Sequence, residues 1–195
     1  MTRKAVILHG TEGYTEGNWF RWLETQLKRK AYDVWLPQLP NSEHPSLRKW
    51  LDFVHENAPF PLAEDTVLIG HSSGASLALL IAQENPTKLK SVVCVSVFTN
   101  ECGKSVATDW EANAKLFDVP YNWPKITEKV ENQIVIVHSD DDPYVPLKQA
   151  EYIAGKLGAA LTVIPGQGHF NLEKSHEYSI FPLLIDLLDK GVPRE

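Results

Sequence analysis

Residues 67–78 read Val-Leu-Ile-Gly-His-Ser-Ser-Gly-Ala-Ser-Leu-Ala, an apolar run of strand type that stops at a glycine-flanked serine and passes at once into a small-residue helical pattern. A chain turns that sharply only where strand and helix pass close together, and Gly70 and Gly74 leave out the side chains that would collide there. Ser72 then occupies a strained corner. Its hydroxyl is lifted clear of the sheet and set near a helix N-terminus, where free N–H groups and the helix dipole favour developing negative charge. This is the G-x-S-x-G nucleophile turn in its strand-turn-helix context. Out of that context the same five residues are a glycine-flanked loop with an ordinary serine.

The rest of the chain supplies the sheet such a corner needs. Apolar runs at 4–8, 32–36, 66–69, 90–97, 133–137 and 160–164 alternate with helical patterns at 19–29, 46–56, 73–85, 147–157 and 181–190. Asn18, Ser46 and Ser179 are the expected caps of the first, second and last helices, and Pro86 ends the third. Apolar strands alternating with amphipathic helices define the α/β class, with a parallel sheet of about six strands covered on both faces. At 195 residues the expectation is one domain spanning 1–195. Segment 98–132 is too long for an ordinary connection. It carries Trp110, Phe117, Tyr121 and Trp123, and reads either as a short lid shaping a pocket or as a crossover helix packed on the sheet.

Composition narrows the partners. A net charge of −6 without Lys/Arg clusters argues against nucleic acid and anionic membrane surfaces. No apolar stretch approaches a signal h-region or a membrane span. Cys94 lies in a strand pattern and Cys102 in a loop, which implies reduced thiols and a cytoplasmic location. No His/Cys/Glu set has metal-ligand spacing, so neither metal nor cofactor is expected. The glycine-rich stretch after the first strand lacks G-x-G-x-x-G and Gly-Lys-Ser/Thr, which excludes the common nucleotide-binding loops.

A serine hydroxyl needs a base within hydrogen-bond reach, and the base needs an acid to hold its tautomer. After the fifth strand comes His138-Ser139-Asp140-Asp141-Asp142-Pro143, and after the sixth Gly166-Gln167-Gly168-His169-Phe170. His169 is the expected base by its place after the last strand; His176 lies where the final helix approaches and reads as surface. Asp142, its backbone fixed by Pro143, is the favoured partner, with Asp140 and Asp141 as alternatives. An oxyanion hole is expected from the backbone N–H groups of Ser73 and Thr11. His9, His71, Trp110, Trp123 and Phe170 are the candidate pocket residues.

The chain resembles the α/β-hydrolases, in particular the small single-domain group that includes retinoblastoma-binding protein nine and its bacterial relatives. The resemblance is carried by His9-Gly10, by Asn18-Trp19-Phe20-x-Trp22-Leu23, by Leu36-Pro37-x-Leu39-Pro40 and by Gly70-His71-Ser72-Ser73-Gly74. It continues through Asp141-Asp142-Pro143-x-Val145-Pro146 and Gly168-His169-Phe170. It implies a three-layer α/β/α hydrolase fold and a Ser72–Asp142–His169 triad. The mammalian member's Leu-x-Cys-x-Glu motif is absent, so its protein partner is not carried over. The expected chemistry is hydrolysis of a small-molecule ester through an acyl-Ser72 intermediate. The same triad would serve a thioester or an amide, and a hydrolase-shaped protein-binding module is the alternative from another class.

Overall fold

The computed structural model describes residues 2–190. Six strands, β1 (Arg3–Leu8), β2 (Tyr32–Trp35), β3 (Thr66–His71), β4 (Leu89–Val95), β5 (Val130–Ser139) and β6 (Ala160–Ile164), form one sheet in the order β2-β1-β3-β4-β5-β6. Every neighbouring pair is parallel. The chain steps outward from β1 to β2, crosses back over β1 to β3, and then proceeds in sequence to β6. Ligands of open α/β sheets bind where strand order reverses in this way, outside the carboxyl ends. The register pairs Leu8 with Gly70, which brings the ends of β1 and β3 out side by side.

The connecting helices are α1 (Phe20–Arg29), α2 (Leu47–Asn57), α3 (Ser73–Glu84), α4 (Val106–Asp109), α5 (Trp123–Glu128), α6 (Leu147–Leu157) and α7 (Pro182–Lys190). In β1, Ala5 and Ile7 pack toward the face covered by α1 and α7. Val6 and Leu8 pack toward the face covered by α2, α3, α5 and α6. Burial on both faces is why the strands read as continuous apolar runs rather than alternating ones. Whereas α2 buries one stripe (Leu47, Trp50, Leu51, Val54), α3 is buried all round from Ser73 to Gln83. Its Ala, Ser and Gly content lets it sit between the sheet and its neighbours α2 and α5. No helix among the described residues is long and apolar enough to cross a membrane.

Ser46 caps α2, its hydroxyl accepting from Lys49 N at 3.1 Å. Two other expected caps are not caps. Asn18 has φ +47° and precedes the true N-cap, Trp19; its side-chain oxygen accepts instead from Leu172 N at 3.1 Å. Ser179 ends a short 3-10 turn (His176–Ser179), and α7 starts only at Pro182. Segment 98–132 divides in two. Its second part, α5, is a crossover helix wedged between α3 and α6. Its first part, α4 and the 3-10 turn Glu111–Asn113, lies over the carboxyl edge of the sheet, where Ala107, Trp110 and Asn113 border the cavity around Ser72.

Candidate active site

Ser72 sits at φ +56°, ψ −127°, a conformation that costs a side-chain-bearing residue roughly 1–3 kcal/mol. Sterics and hydrogen bonds together impose it. A Cβ on Gly70 would lie 2.4 Å from Gly74 O, and one on Gly74 would lie 2.3 Å from His9 O and 2.4 Å from Leu8 O. Gly74 therefore admits the backbone of β1 itself. Ser72 N donates to Val95 O (2.8 Å), while Ser72 O accepts from Ala75 N and Ser76 N, starting α3. The Ser73 N–H, at the first position of that helix, has no acceptor one turn back within it.

The three aspartates after β5 have separate tasks. Asp140 Oδ1 accepts from Gly166 N (2.8 Å). Asp141 Oδ1 accepts from Gly168 N (2.6 Å) and Ser139 Oγ (2.7 Å), and its other oxygen pairs with Lys174 Nζ (3.0 Å). The Gly168 N–H, with Ser139 and Lys174, holds that exposed carboxyl down at about 2. Both groups brace the loop before His169 and neither reaches its ring. Asp142 does: its Oδ2 accepts from His169 Nδ1 at 2.8 Å and from Ser96 Oγ at 2.9 Å, and its Oδ1 from Tyr144 N and Val145 N, both 2.9 Å. Burial pushes the Asp142 carboxyl upward, but the hydrogen bond and charge of His169 and the two N–H groups outweigh it, so its pKa lies below the usual value. With Nδ1 donating to Asp142, the lone pair of the neutral His169 ring lies on Nε2.

His169 is also held from behind. His71 Nε2 lies 2.8 Å from His169 O, and a carbonyl only accepts, so Nε2 carries the proton of a neutral ring. Burial, then the neighbouring His169, push His71 down to about 3. Trp19 Nε1 donates to Phe170 O (3.1 Å), and Asn18 takes Leu172 N as described. His138 Nε2 donates to Val145 O (2.8 Å), so its 4.0 Å approach to Asp142 is not an ion pair; burial lowers its pKa.

Ser72 and His169 share a cavity of about 460 Å³. Among the described residues the Ser72 hydroxyl makes no hydrogen bond, and in unliganded enzymes the serine–imidazole contact is commonly long and closes in the complex. Tyr14, Phe20, Trp110, Tyr144 and Leu172 supply apolar wall, Glu12 and Glu173 the charge. Trp110 stacks on Tyr144 (6.3 Å, 15°), whose hydroxyl donates to Glu173 at 2.6 Å.

Of the pocket residues expected from sequence, His71 and Trp110 line this cavity and three others do not. Trp123 is in the core, stacked on Tyr121 with its Nε1 bonded to Glu101. Phe170 turns inward onto Phe181 and Tyr178. His9 is fully buried and clamps the backbone, donating from Nδ1 to Gly10 O and accepting from Leu39 N at 2.9 Å each. His176 is exposed, as its position implies. The Thr11 N–H, expected as the second oxyanion donor, is directed at Ser73 Oγ (2.7 Å). No group of three or more His, Cys, Asp or Glu among the described residues is arranged to hold a metal ion.

The family model for serine hydrolases matches residues 5–190. This chain belongs to the serine hydrolase family. It is similar to the rat serine hydrolase RBBP9, 29% identical over 178 residues that make up 89% of this chain and 90% of the relative. It is also similar to YdeN of Bacillus subtilis, 28% identical over 197 residues, 100% of this chain and 99% of the relative. The crystal structure of the B. subtilis ydeN product superposes with a TM-score of 0.82 at 26% identity, covering 97% of this chain and 98% of that one.

Two residues of this serine hydrolase that the sequence pattern does not single out contact the site residues. Ser96 looked like part of a strand; instead β4 ends at Val95 and Ser96 steps out at φ +52° to donate to Asp142. A polar residue closing an apolar strand on the carboxyl edge is the signal that would have found it. Asn113 lies in the aromatic-rich segment, yet its oxygen accepts from Thr11 Oγ1 at 2.6 Å.

Proposed function

We propose that this serine hydrolase cleaves a small carboxylic ester through an acyl-Ser72 intermediate. His169 Nε2 takes the Ser72 proton as the oxygen attacks the acyl carbon, then returns it to the departing alcohol. Water, deprotonated by the same nitrogen, then bonds to the acyl carbon, and the acid leaves as the proton passes back to Ser72 Oγ. Asp142 keeps the imidazole in the tautomer that leaves Nε2 basic and stabilises the imidazolium without taking its proton. The observation that carries this reading is the Asp142–His169 pair, joined at 2.8 Å and opening onto the same cavity as the strained serine. A cavity of about 460 Å³ with aromatic walls suits a small uncharged acyl group. Among the described residues neither Lys nor Arg lines it, which disfavours thioesters of phosphate-bearing carriers. Cys94 and Cys102, both unpaired, fit a reducing cytoplasm.

Labelling with a fluorophosphonate probe tests the assignment. The adduct is expected on Ser72 and is lost in Ser72→Ala, together with turnover of p-nitrophenyl esters. An intact, folded Ser72→Ala that still turns over would sink it. A parallel series of esters, thioesters and anilides of one acyl group ranks the bond types, and a faster thioester or anilide would overturn the ester assignment alone.

A further inference from the structure

The direction of each hydrogen bond beside the elbow follows from the atoms present. Asn113 Nδ2 donates to Ala107 O at 2.7 Å, which turns Oδ1 toward Thr11. An amide oxygen only accepts, so at 2.6 Å the hydrogen comes from Thr11 Oγ1. Thr11 Oγ1 also lies 2.8 Å from Ser73 Oγ, and its one hydrogen is already placed, so this second hydrogen comes from Ser73. Ser73 Oγ in turn accepts from Thr11 N at 2.7 Å. The result is a one-way chain: Thr11 N–H to Ser73 hydroxyl, Ser73 hydroxyl to Thr11 hydroxyl, Thr11 hydroxyl to Asn113. Ser73 is wholly buried and does not line the cavity, whereas Thr11 and Asn113 do, beside Ser72. The loop passes close to the nucleophile, since a Cβ on Gly10 would lie 2.9 Å from Ser72 Cβ.

We infer that the donor this loop presents to the oxyanion is the Thr11 hydroxyl, fed by its own backbone N–H through Ser73. The inference rests on the acyl-Ser72 reading. When negative charge develops on the acyl oxygen, the Thr11 hydroxyl needs only to rotate its hydrogen from Asn113 Oδ1 to the anion, with no heavy atom moving. It continues to accept from Ser73, and a hydroxyl that accepts is a stronger donor. Three hydrogens then point the same way toward the charge. Asn113 holds the last one before the charge develops and is a positioning residue.

Thr11→Val separates the two possible donors, because valine keeps the backbone N–H and the side-chain shape and removes only the hydroxyl. The expected result is a fall in kcat of about 100-fold on p-nitrophenyl acetate with KM little changed, the scale of one lost oxyanion donor. Affinity for an alkylboronic acid, whose serine adduct is a tetrahedral anion, falls in parallel, and Thr11→Ser restores both. Ser73→Ala lowers kcat in the same manner, and adding it to Thr11→Val costs little more. Thermal denaturation verifies that each variant folds, with Ser73→Ala carrying the test where valine does not. A folded Thr11→Val with wild-type kcat, or a loss that serine does not restore, overturns the inference. Wild-type protein that takes no probe at Ser72 removes the parent reading and this one together; wild type that labels beside an unimpaired Thr11→Val removes this one alone.

Discussion

Ser72 and His169 face one cavity, yet they are held there by different means. The nucleophile's corner is fixed by the absence of matter: Gly70 and Gly74 let backbone pass backbone at distances a single Cβ would forbid. The base stands on a loop fixed by polar contacts to its main chain, from Asp140, Asp141, His71, Trp19 and Asn18. The first kind of restraint is part of the core and fails with the fold. The second can be loosened contact by contact while the sheet survives.

Four measurements break or sharpen that contrast. The largest effect is expected at Asp142, where Asp142→Asn should lower kcat by about 10⁴, as for a triad aspartate. Asp140→Asn and Asp141→Asn should each cost about tenfold or less, the scale of one positioning hydrogen bond. A severe loss at either, with a mild one at Asp142, would reverse the assignment. Next is Gly74→Ala, expected to destabilise by about 3 kcal/mol in urea unfolding, since the clash is with backbone that cannot yield; a variant as stable as wild type would refute the steric account.

The third concerns pH. An unfolded histidine takes a proton below about 6.5, whereas folded His71 resists until about 3. Its contribution to stability is therefore complete above pH 6.5 and declines as pH falls from there toward 3. Burial lowers His9 and His138 too, so they act in the same direction. The melting temperature should drop on acidification through that window, and less steeply in His71→Gln, which keeps an N–H donor; parallel curves would exclude His71 as a source. The smallest effect has the opposite sign. Gly155, on the exposed side of α6, has open space where a Cβ would stand, so Gly155→Ala should stabilise by roughly 0.5–1 kcal/mol.

The parts legible in sequence were those written by periodicity and spacing. The apolar run into Gly70 and the small-residue pattern after it placed the strand-to-helix corner, and the run of polar residues after β5 and β6 marked the edge where Asp142 and His169 come together. What escaped was orientation. Trp110 and Trp123 share a segment and a residue type, but Trp110 borders the cavity while Trp123 packs between helices. Phe170, one residue past His169, faces the opposite way because its φ is +50°. The Thr11 N–H finds its acceptor in one rotatable hydroxyl, that of Ser73. Such choices depend on which neighbour arrives from elsewhere in the chain, and no local pattern encodes them.

The contacts of Trp19 with Phe170 and of Asn18 with Leu172 span 151 and 154 residues. During synthesis on a ribosome, the serine's corner emerges long before the imidazole that would awaken it. A nascent chain exposing Ser72 is thus expected to be chemically silent until its last strand has docked. Recovery of turnover after dilution from denaturant should accordingly report the final docking event rather than collapse of the central strands, with the slow kinetics that distant pairings impose.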